Sequence, residues 1–337
     1  MTSSLEPPVV VIVGAGMAGL VAARALDRAC RVIVLDKGRG LGGRLATRRI
    51  GDATFDHGAQ FITTHTATFA ELMQEVLDAG VAVPWFSGRI GPEGVMATDG
   101  HQRFRGTVSM NAIAKHLAHG LDVRTSSQVA ACRASRDGQV SGWTIVMSDG
   151  SELHTDAVIT TAPVPQTLAL LKNGSVTLSA GDRAALKAIE YDPCLALMAV
   201  LDGPSGLSGA GAIDPISGPI DWIADNAVKG ISSVPAVTIH ATAQFSVDEW
   251  ESPDSEIESA LLSAAGLDAQ QIDGGVQVQR WRFARPSVVH PERHLMLEGF
   301  APFVCAGDAF GGAKVEGAAL SGLAAAEAIV AVLGLDS

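Results

Sequence analysis

Tyrosine is almost missing from this chain: Tyr191 is the only one in 337 residues, and aromatic residues together make up 5%. Any site that needs a pair of tyrosines is excluded. Cysteine is scarce as well. Cys30, Cys132, Cys194 and Cys305 lie far apart, with neither the close pairs of a zinc site nor the density of a disulfide scaffold. No metal is expected, and a reducing, cytoplasmic setting is. Positive charge is short too: 24 Lys and Arg against 36 Asp and Glu leave a net charge of -12. That balance repels a phosphate backbone, so nucleic acid is not an expected partner. An uninterrupted apolar run of about 18 residues, the spanning minimum, is absent. The start "MTSSLEPPVVVIVGAG" has no basic segment ahead of its short apolar run and reads as a first strand rather than a signal sequence. No membrane partner is expected.

What is present is apolar side chain, 47% of the residues against 18% charged. That is ample to offset the entropy of ordering a folded protein. The length suits one large domain or two ordinary ones. Val9 to Val13 is a β-branched run; Gly14-Ala15-Gly16-Met17-Ala18-Gly19 follows, then an alanine-rich helical stretch to about Ala29, then a second run, Arg31 to Leu35, ending at Asp36. Strand, turn, helix and strand make the βαβ unit of a parallel, doubly wound sheet. The stretch "DKGRGLGGRLATRR" reads as a loop entering a short helix. Further helices are expected at Thr68–Ala79, Met110–His119 and Ser255–Ala265. Hairpin turns are expected at Asp137-Gly138 and Asp149-Gly150, a break at Pro163 and Pro165, and strands at Leu195–Leu201, Ala236–Ala243 and Val276–Ala284. The middle of the chain therefore reads as a second, mostly antiparallel domain.

The opening turn carries the first chemistry. G-x-G-x-x-G after a strand, opening a helix, with an acid at the end of the next strand, is a dinucleotide-binding fingerprint. Gly14 allows the tight turn, Gly16 lets backbone N–H groups approach a pyrophosphate, and Gly19 allows close helix packing. The Asp36 carboxylate can accept from a ribose diol, and its charge argues against a 2′-phosphate there. NAD or FAD fits.

The next element separates those two. "GRGLGGRLATRR" with "FDHGAQFIT" resembles the flavin-dependent amine oxidase superfamily, and within it the bacterial renalases most. The resemblance implies a dinucleotide loop around Lys37, backbone contact at Gly42 and Gly43, and a pyrophosphate-neutralising Arg44, for which a planar guanidinium is suited. It also implies that Gly58 and Ala59 approach the flavin ring. Gln60 is a flavin or pocket neighbour, while His57 reads as either a structural histidine or a residue of the site. Val129 falls where the family holds the adenine with a backbone pair, and it reads equally well as a core strand residue.

The stretch "CAGDAFGGAKVEGAALSG", Cys305 to Gly322, reads as a strand end at Gly307-Asp308 and a glycine turn into a helix. In such flavoproteins the aspartate holds the ribityl chain or a phosphate. The helix start, Val315, Glu316 and Gly317, points free N–H groups at the flavin ring edge that turns negative on reduction. "PIDWIADNAVKG", "AVTIHATAQFS" and "QRWRFARP" also resemble renalase segments, which makes Trp222, Asn226, His240, and Arg282 or Arg285, pocket candidates. Cys305 falls inside a strand, so FAD is expected to be noncovalent.

Together these imply an α/β fold of the p-hydroxybenzoate hydroxylase-like, amine-oxidase type. A Rossmann-type FAD-binding domain would comprise 1–60, 103–163 and 286–337, and an antiparallel substrate domain 61–102 and 164–285. The implied activity is oxidation of 2- or 6-dihydro isomers of NAD(P)H by hydride transfer to flavin N5, with oxygen as second substrate and hydrogen peroxide and NAD(P)+ as products. Orientation matters more than acid or base catalysis in such a transfer. An amine oxidase or desaturase on the same fold, and a noncatalytic FAD-binding protein, are the other two readings.

Overall fold

The computed structural model describes residues 6–91, 94–135, 142–214 and 218–335. The expected turn at Asp137-Gly138 lies outside the described residues. Two compact units share the chain: Met1–Gly43, Ala114–Glu190 and Pro286–Ser337 form one, Arg44–Ile113 and Tyr191–Arg285 the other.

The first unit is built on a six-stranded sheet. Val9–Val13 runs parallel between Ala157–Thr160 and Arg31–Leu35. Beyond them, Phe303–Cys305 and Asp122–Arg124 are also parallel, while Leu295–Met296 forms an antiparallel edge. The central strands are continuous Val/Ile runs with no polar alternation because both faces are covered. One cover is the helix Met17–Leu26, packed against the closing helix Lys314–Leu333. A Cβ on Gly322 would stand 2.2 Å from the Ala18 carbonyl oxygen, so glycine is what lets these two helices meet. By length and composition the closing helix could cross a membrane. Here Ala319, Gly322, Ala325 and Ala326 are buried in the unit. A three-stranded antiparallel sheet, Val129–Ala134, Trp143–Met147 and Glu152–Thr155, completes it, with the expected turn at Asp149-Gly150.

Pro163 and Pro165 start a helix, Val164–Asn173, rather than ending order. In a first turn proline's missing N–H has no intrahelical partner to lose. Thr167 Oγ1 meets Thr160 Oγ1 at 3.0 Å, and the helix packs on Val129–Ala134. Residues 164–190 therefore lie in the first unit, beyond the expected boundary at 163.

The second unit centres on a five-stranded sheet in the order Ala212–Ile213, Ile220–Asp225, Ala236–Ala241, Glu190–Leu201, Ile272–Val288. The register pairs Trp222 and Ala196 with His240, and Ala224 and Met198 with Thr238. These side chains share one face. The other face, with Leu197, Ile223, Val237 and Ile239, packs on Ile257, Leu261 and Leu262 of the helix Asp254–Ala264. Ala53 and Phe55 of the hairpin Thr47–Ile50/Ala53–Asp56 bury against Met198, Val200 and Ala236. A longer hairpin, Ala82–Ile90/Met96–Gly106, brings Phe86 and Ile90 to Ala212 and Ala224. Both hairpins find their apolar burial on this sheet, so 44–60 and 103–113 belong to this unit and not with the dinucleotide segments as expected.

Candidate functional site

In the first unit the glycine turn explains itself residue by residue. Gly14 has φ +112°, and a Cβ there would lie 2.5 Å from Thr161 Oγ1; one on Gly19 would lie 1.9 Å from the Gly14 carbonyl oxygen. Those glycines serve the chain's own packing. Gly16 is different. The nearest atom to its Cβ position is the Gly42 oxygen at 3.8 Å, ordinary contact distance, so nothing in the chain demands glycine there. The space a side chain would take lies before the Met17–Leu26 helix, whose start no side chain caps. Bare amides at a helix start, with Ala15 and Ala18 alongside, fit a pyrophosphate.

Asp36 braces this turn. Its Oδ2 accepts from the Ala15 amide at 2.7 Å and its Oδ1 from Gly38 at 2.6 Å. A carboxylate has about four acceptor sites, which leaves two for a ribose diol. Gly42 donates to the Ala15 carbonyl at 2.9 Å, and Gly42 and Gly43 both have positive φ, so the paired glycines fold onto the same turn. Lys37 Nζ instead reaches Gln166 Oε1 at 3.0 Å. Val129 opens its strand, buried.

At the closing turn, Gly307 has φ +127° and donates to Ser321 Oγ at 2.8 Å, while that hydroxyl donates to the Arg293 carbonyl at 2.6 Å. Asp308 and Glu316 are buried. A Cβ on Gly317 would stand 1.9 Å from the Gly312 oxygen, so this glycine folds the turn beneath Val315. Cys305 is buried, and burial pushes its thiol well up. A thiol kept protonated by burial is a poor nucleophile.

The second unit holds Arg44 and the Asp56-His57-Gly58-Ala59-Gln60 turn. Arg44 Nη1 donates to the Ala284 carbonyl at 3.2 Å. A Cβ on Gly58 would meet the Arg44 carbonyl oxygen at 2.1 Å, and Ala59 donates to that oxygen at 2.8 Å. Gly58 therefore answers to the chain's own backbone. Gln60 is also used internally: its Nε2 donates to the carbonyls of Asp56 at 2.6 Å and Gly58 at 3.2 Å, and its Oε1 accepts from Lys229 at 3.4 Å.

Lys229 and Asp56 form an ion pair at 2.9 Å with both side chains at 0% exposure. Asp56 also accepts from Thr47 Oγ1 and the Met110 amide, and Lys229 Nζ lies 4.9 Å from the centre of the Trp85 ring. Burial lowers the lysine pKa, and the aspartate opposes that shift. Neither charge is tolerable without the other.

Two imidazoles sit beside this pair. The His57 carbonyl accepts from Trp281 Nε1 at 2.8 Å and His240 Nε2 at 3.3 Å, and the His57 ring stacks on Trp281 with centroids 5.3 Å apart. Burial, chiefly, lowers both histidines to about 4, so both are neutral at physiological pH. Trp222 lies cross-strand from His240, with the rings of Phe61 at 5.5 Å and Trp85 at 6.3 Å. Asn226 Nδ2 donates to Thr238 Oγ1 at 3.0 Å. Among the described residues, three buried polar atoms here have no partner: His57 Nδ1, Trp222 Nε1 and Asn226 Oδ1.

Of the pocket candidates, then, Trp222, Asn226 and His240 share one sheet face with the His57 turn. Arg282 does not. Its guanidinium stacks 4.6 Å over Trp250, which packs on the helix-covered core. Arg285 pairs with Asp192 at 3.3 Å. The residue that faces His57 is Trp281. Strand alternation in "QRWRFARP" carries that signal: Trp281 and Phe283 face one way, Arg280 and Arg282 the other. Asp56, Lys229 and Trp85 were missed. Tyr191 stacks on Phe283 at 5.5 Å, and no second tyrosine exists to pair with it.

One unit is Rossmann-type with a dinucleotide turn, and the other is antiparallel with an aromatic sheet face, an architecture suited to a nucleotide cofactor. Comparison with known proteins makes that specific. Residues 12–78 match the NAD(P)-binding Rossmann-like domain, and residues 93–330 match the flavin containing amine oxidoreductase model. The chain belongs to the flavin containing amine oxidoreductase family, and it is a flavin-dependent oxidoreductase. It is 25% identical to renalase from Mus musculus over 334 residues, covering 93% of this chain and 96% of the relative. A proposed protoporphyrinogen oxidase from Exiguobacterium sp. 255-15 superposes with a TM-score of 0.73 at 14% identity, over 97% of this chain and 99% of that one. A variant of putrescine oxidase gives 0.71 at 16% identity, over 96% and 99%. At these identities the structures attest the fold alone.

Proposed function

We propose that this flavoenzyme is a renalase-type oxidase in the cytoplasm. It would hold FAD noncovalently and convert 2- or 6-dihydro isomers of NAD(P)H to NAD(P)+. The first unit supplies the cofactor residues: main-chain amides around Gly16 for the pyrophosphate, Asp36 for the adenosine ribose, and Asp308 with the Val315–Gly317 helix start for the ribityl and ring end. Bound FAD would supply a hydride acceptor at N5 and a route for both electrons to oxygen, with hydrogen peroxide as the product. The second unit's residues orient the substrate.

One observation carries the choice of substrate. The sheet face around Trp222 and His240 offers flat aromatics and neutral imidazoles, while its one buried charge pair, Lys229 and Asp56, is closed on itself. A hydride donor needs stacking and orientation, which this face can give. An ammonium substrate needs an aromatic cage or an anion, and the two-tyrosine version of that cage cannot be built from Tyr191 alone.

The test is the absorbance of the purified yellow protein under nitrogen, mixed with each dihydronicotinamide isomer and with a panel of amines. Bleaching by the isomers alone is expected. Bleaching by amines alone overturns the proposal in favour of an amine oxidase, and a colourless protein that takes up no added FAD overturns it altogether.

A further inference from the structure

His240 has one ring nitrogen committed. Nε2 lies 3.3 Å from the His57 carbonyl oxygen, which can only accept, so the proton is on Nε2. In a neutral imidazole the other nitrogen is then an acceptor. Trp222, its direct cross-strand neighbour, has the opposite need: the indole Nε1–H is buried with no acceptor among the described residues, and an indole N–H can only donate. Directly paired residues carry Cβ atoms about 5 Å apart. One acceptor and one unmatched donor thus stand side by side on an aromatic face, flanked by Phe61 and Trp85.

Few functional groups answer both. A carboxylate would satisfy the indole but set its lone pairs against those of Nδ1. An ammonium would satisfy Nδ1 but not the indole. A primary carboxamide presents one acceptor and one donor on the same flat group. We propose that Trp222 and His240 clamp a primary carboxamide, the indole Nε1–H donating to its oxygen and His240 Nδ1 accepting from its –NH2. This rests on the function proposed above, whose substrates carry that group on the pyridine ring, and it makes the pair specificity-determining residues for the nicotinamide end.

The holoenzyme, labelled with 15N at the indole nitrogen, has five tryptophans, and the signal missing from Trp222→Phe identifies Trp222. On titration with oxidised nicotinamide mononucleotide that signal moves downfield and saturates. The 3-acetylpyridine analogue keeps the carbonyl but lacks the –NH2, so it moves the same signal while binding roughly fivefold to tenfold more weakly, the loss of one hydrogen bond. Trp222→Phe weakens both ligands alike, and His240→Phe erases the preference between them. A Trp222 signal that stays still at saturating ligand, unchanged affinities in Trp222→Phe, or a preference that survives in His240→Phe overturns the clamp. Failure of the two proposals is distinguishable. Flavin bleached by a dihydro isomer with a still Trp222 signal overturns the clamp alone. A moving signal with no bleaching by any isomer supports the clamp and overturns the oxidase reading.

Discussion

Asp36 holds the amides of Ala15 and Gly38, and in the proposed function it also keeps lone pairs for a ribose. Asp36→Ala should therefore loosen the turn and weaken FAD retention by about tenfold or more, the scale of one or two charge-assisted hydrogen bonds. Fluorescence titration of apoprotein with FAD checks this; unchanged affinity would remove the ribose contact. The neutral histidines have a consequence for pH. His57 and His240 sit near 4 in the folded chain against about 6.5 unfolded. Between those values the unfolded chain binds more protons, so stability is full above about pH 6.5 and falls as the pH drops towards 4. Melting temperature against pH should show that decline, and a flat profile across the window would contradict the burial of both rings. Asp36 was legible in the sequence because its partner lies in the same βαβ unit. Lys229 and Asp56 were not, because 173 residues separate them and no local pattern links a lone lysine to a distant acid.

Elements follow the same rule. The βαβ start, the antiparallel middle and the helices at Ala67–Asp78, Met110–Leu117 and Asp254–Ala264 stand within a few residues of where hydrophobic period and capping put them. The helix after Pro163 was hidden because proline breaks a helix interior but suits its first turn. The long hairpin Ala82–Ile90/Met96–Gly106 was hidden by its Gly and charged residues. Close approach gives a sharp test at this scale. Gly19→Ala puts a Cβ 1.9 Å from a carbonyl oxygen, whereas Gly40→Ala meets nothing within 4 Å. The first should destabilise by about 1–3 kcal/mol and lose flavin, and the second should be near neutral. Equal melting temperatures would contradict the tight turn. The buried pair joins a hairpin strand to the loop after Ile220–Asp225. Lys229→Met should cost about 3–5 kcal/mol, and adding Asp56→Leu should recover part of it. Denaturant midpoints of the three variants decide this, since simple additivity would mean the charges do not couple.

Over the whole molecule, the chain passes between its two units four times, at 43, 113, 190 and 285. The sequence legibly implied a discontinuous cofactor domain, but the crossing points depend on which sheet each hairpin buries against, and that is decided by tertiary packing. Closure of the first unit needs its last helix: Gly322→Leu, forced against the Ala18 carbonyl, should part the two helices and lower the melting temperature by several degrees. An unchanged value would mean that the closing helix is not packed there. The contact between Met17–Leu26 and Lys314–Leu333 also sets an order of events during synthesis. The first of these helices is synthesised well before its partner. Until that partner emerges, the nucleotide turn lacks the helix that backs it. Packing of the first unit is therefore completed only after its closing helix has been made.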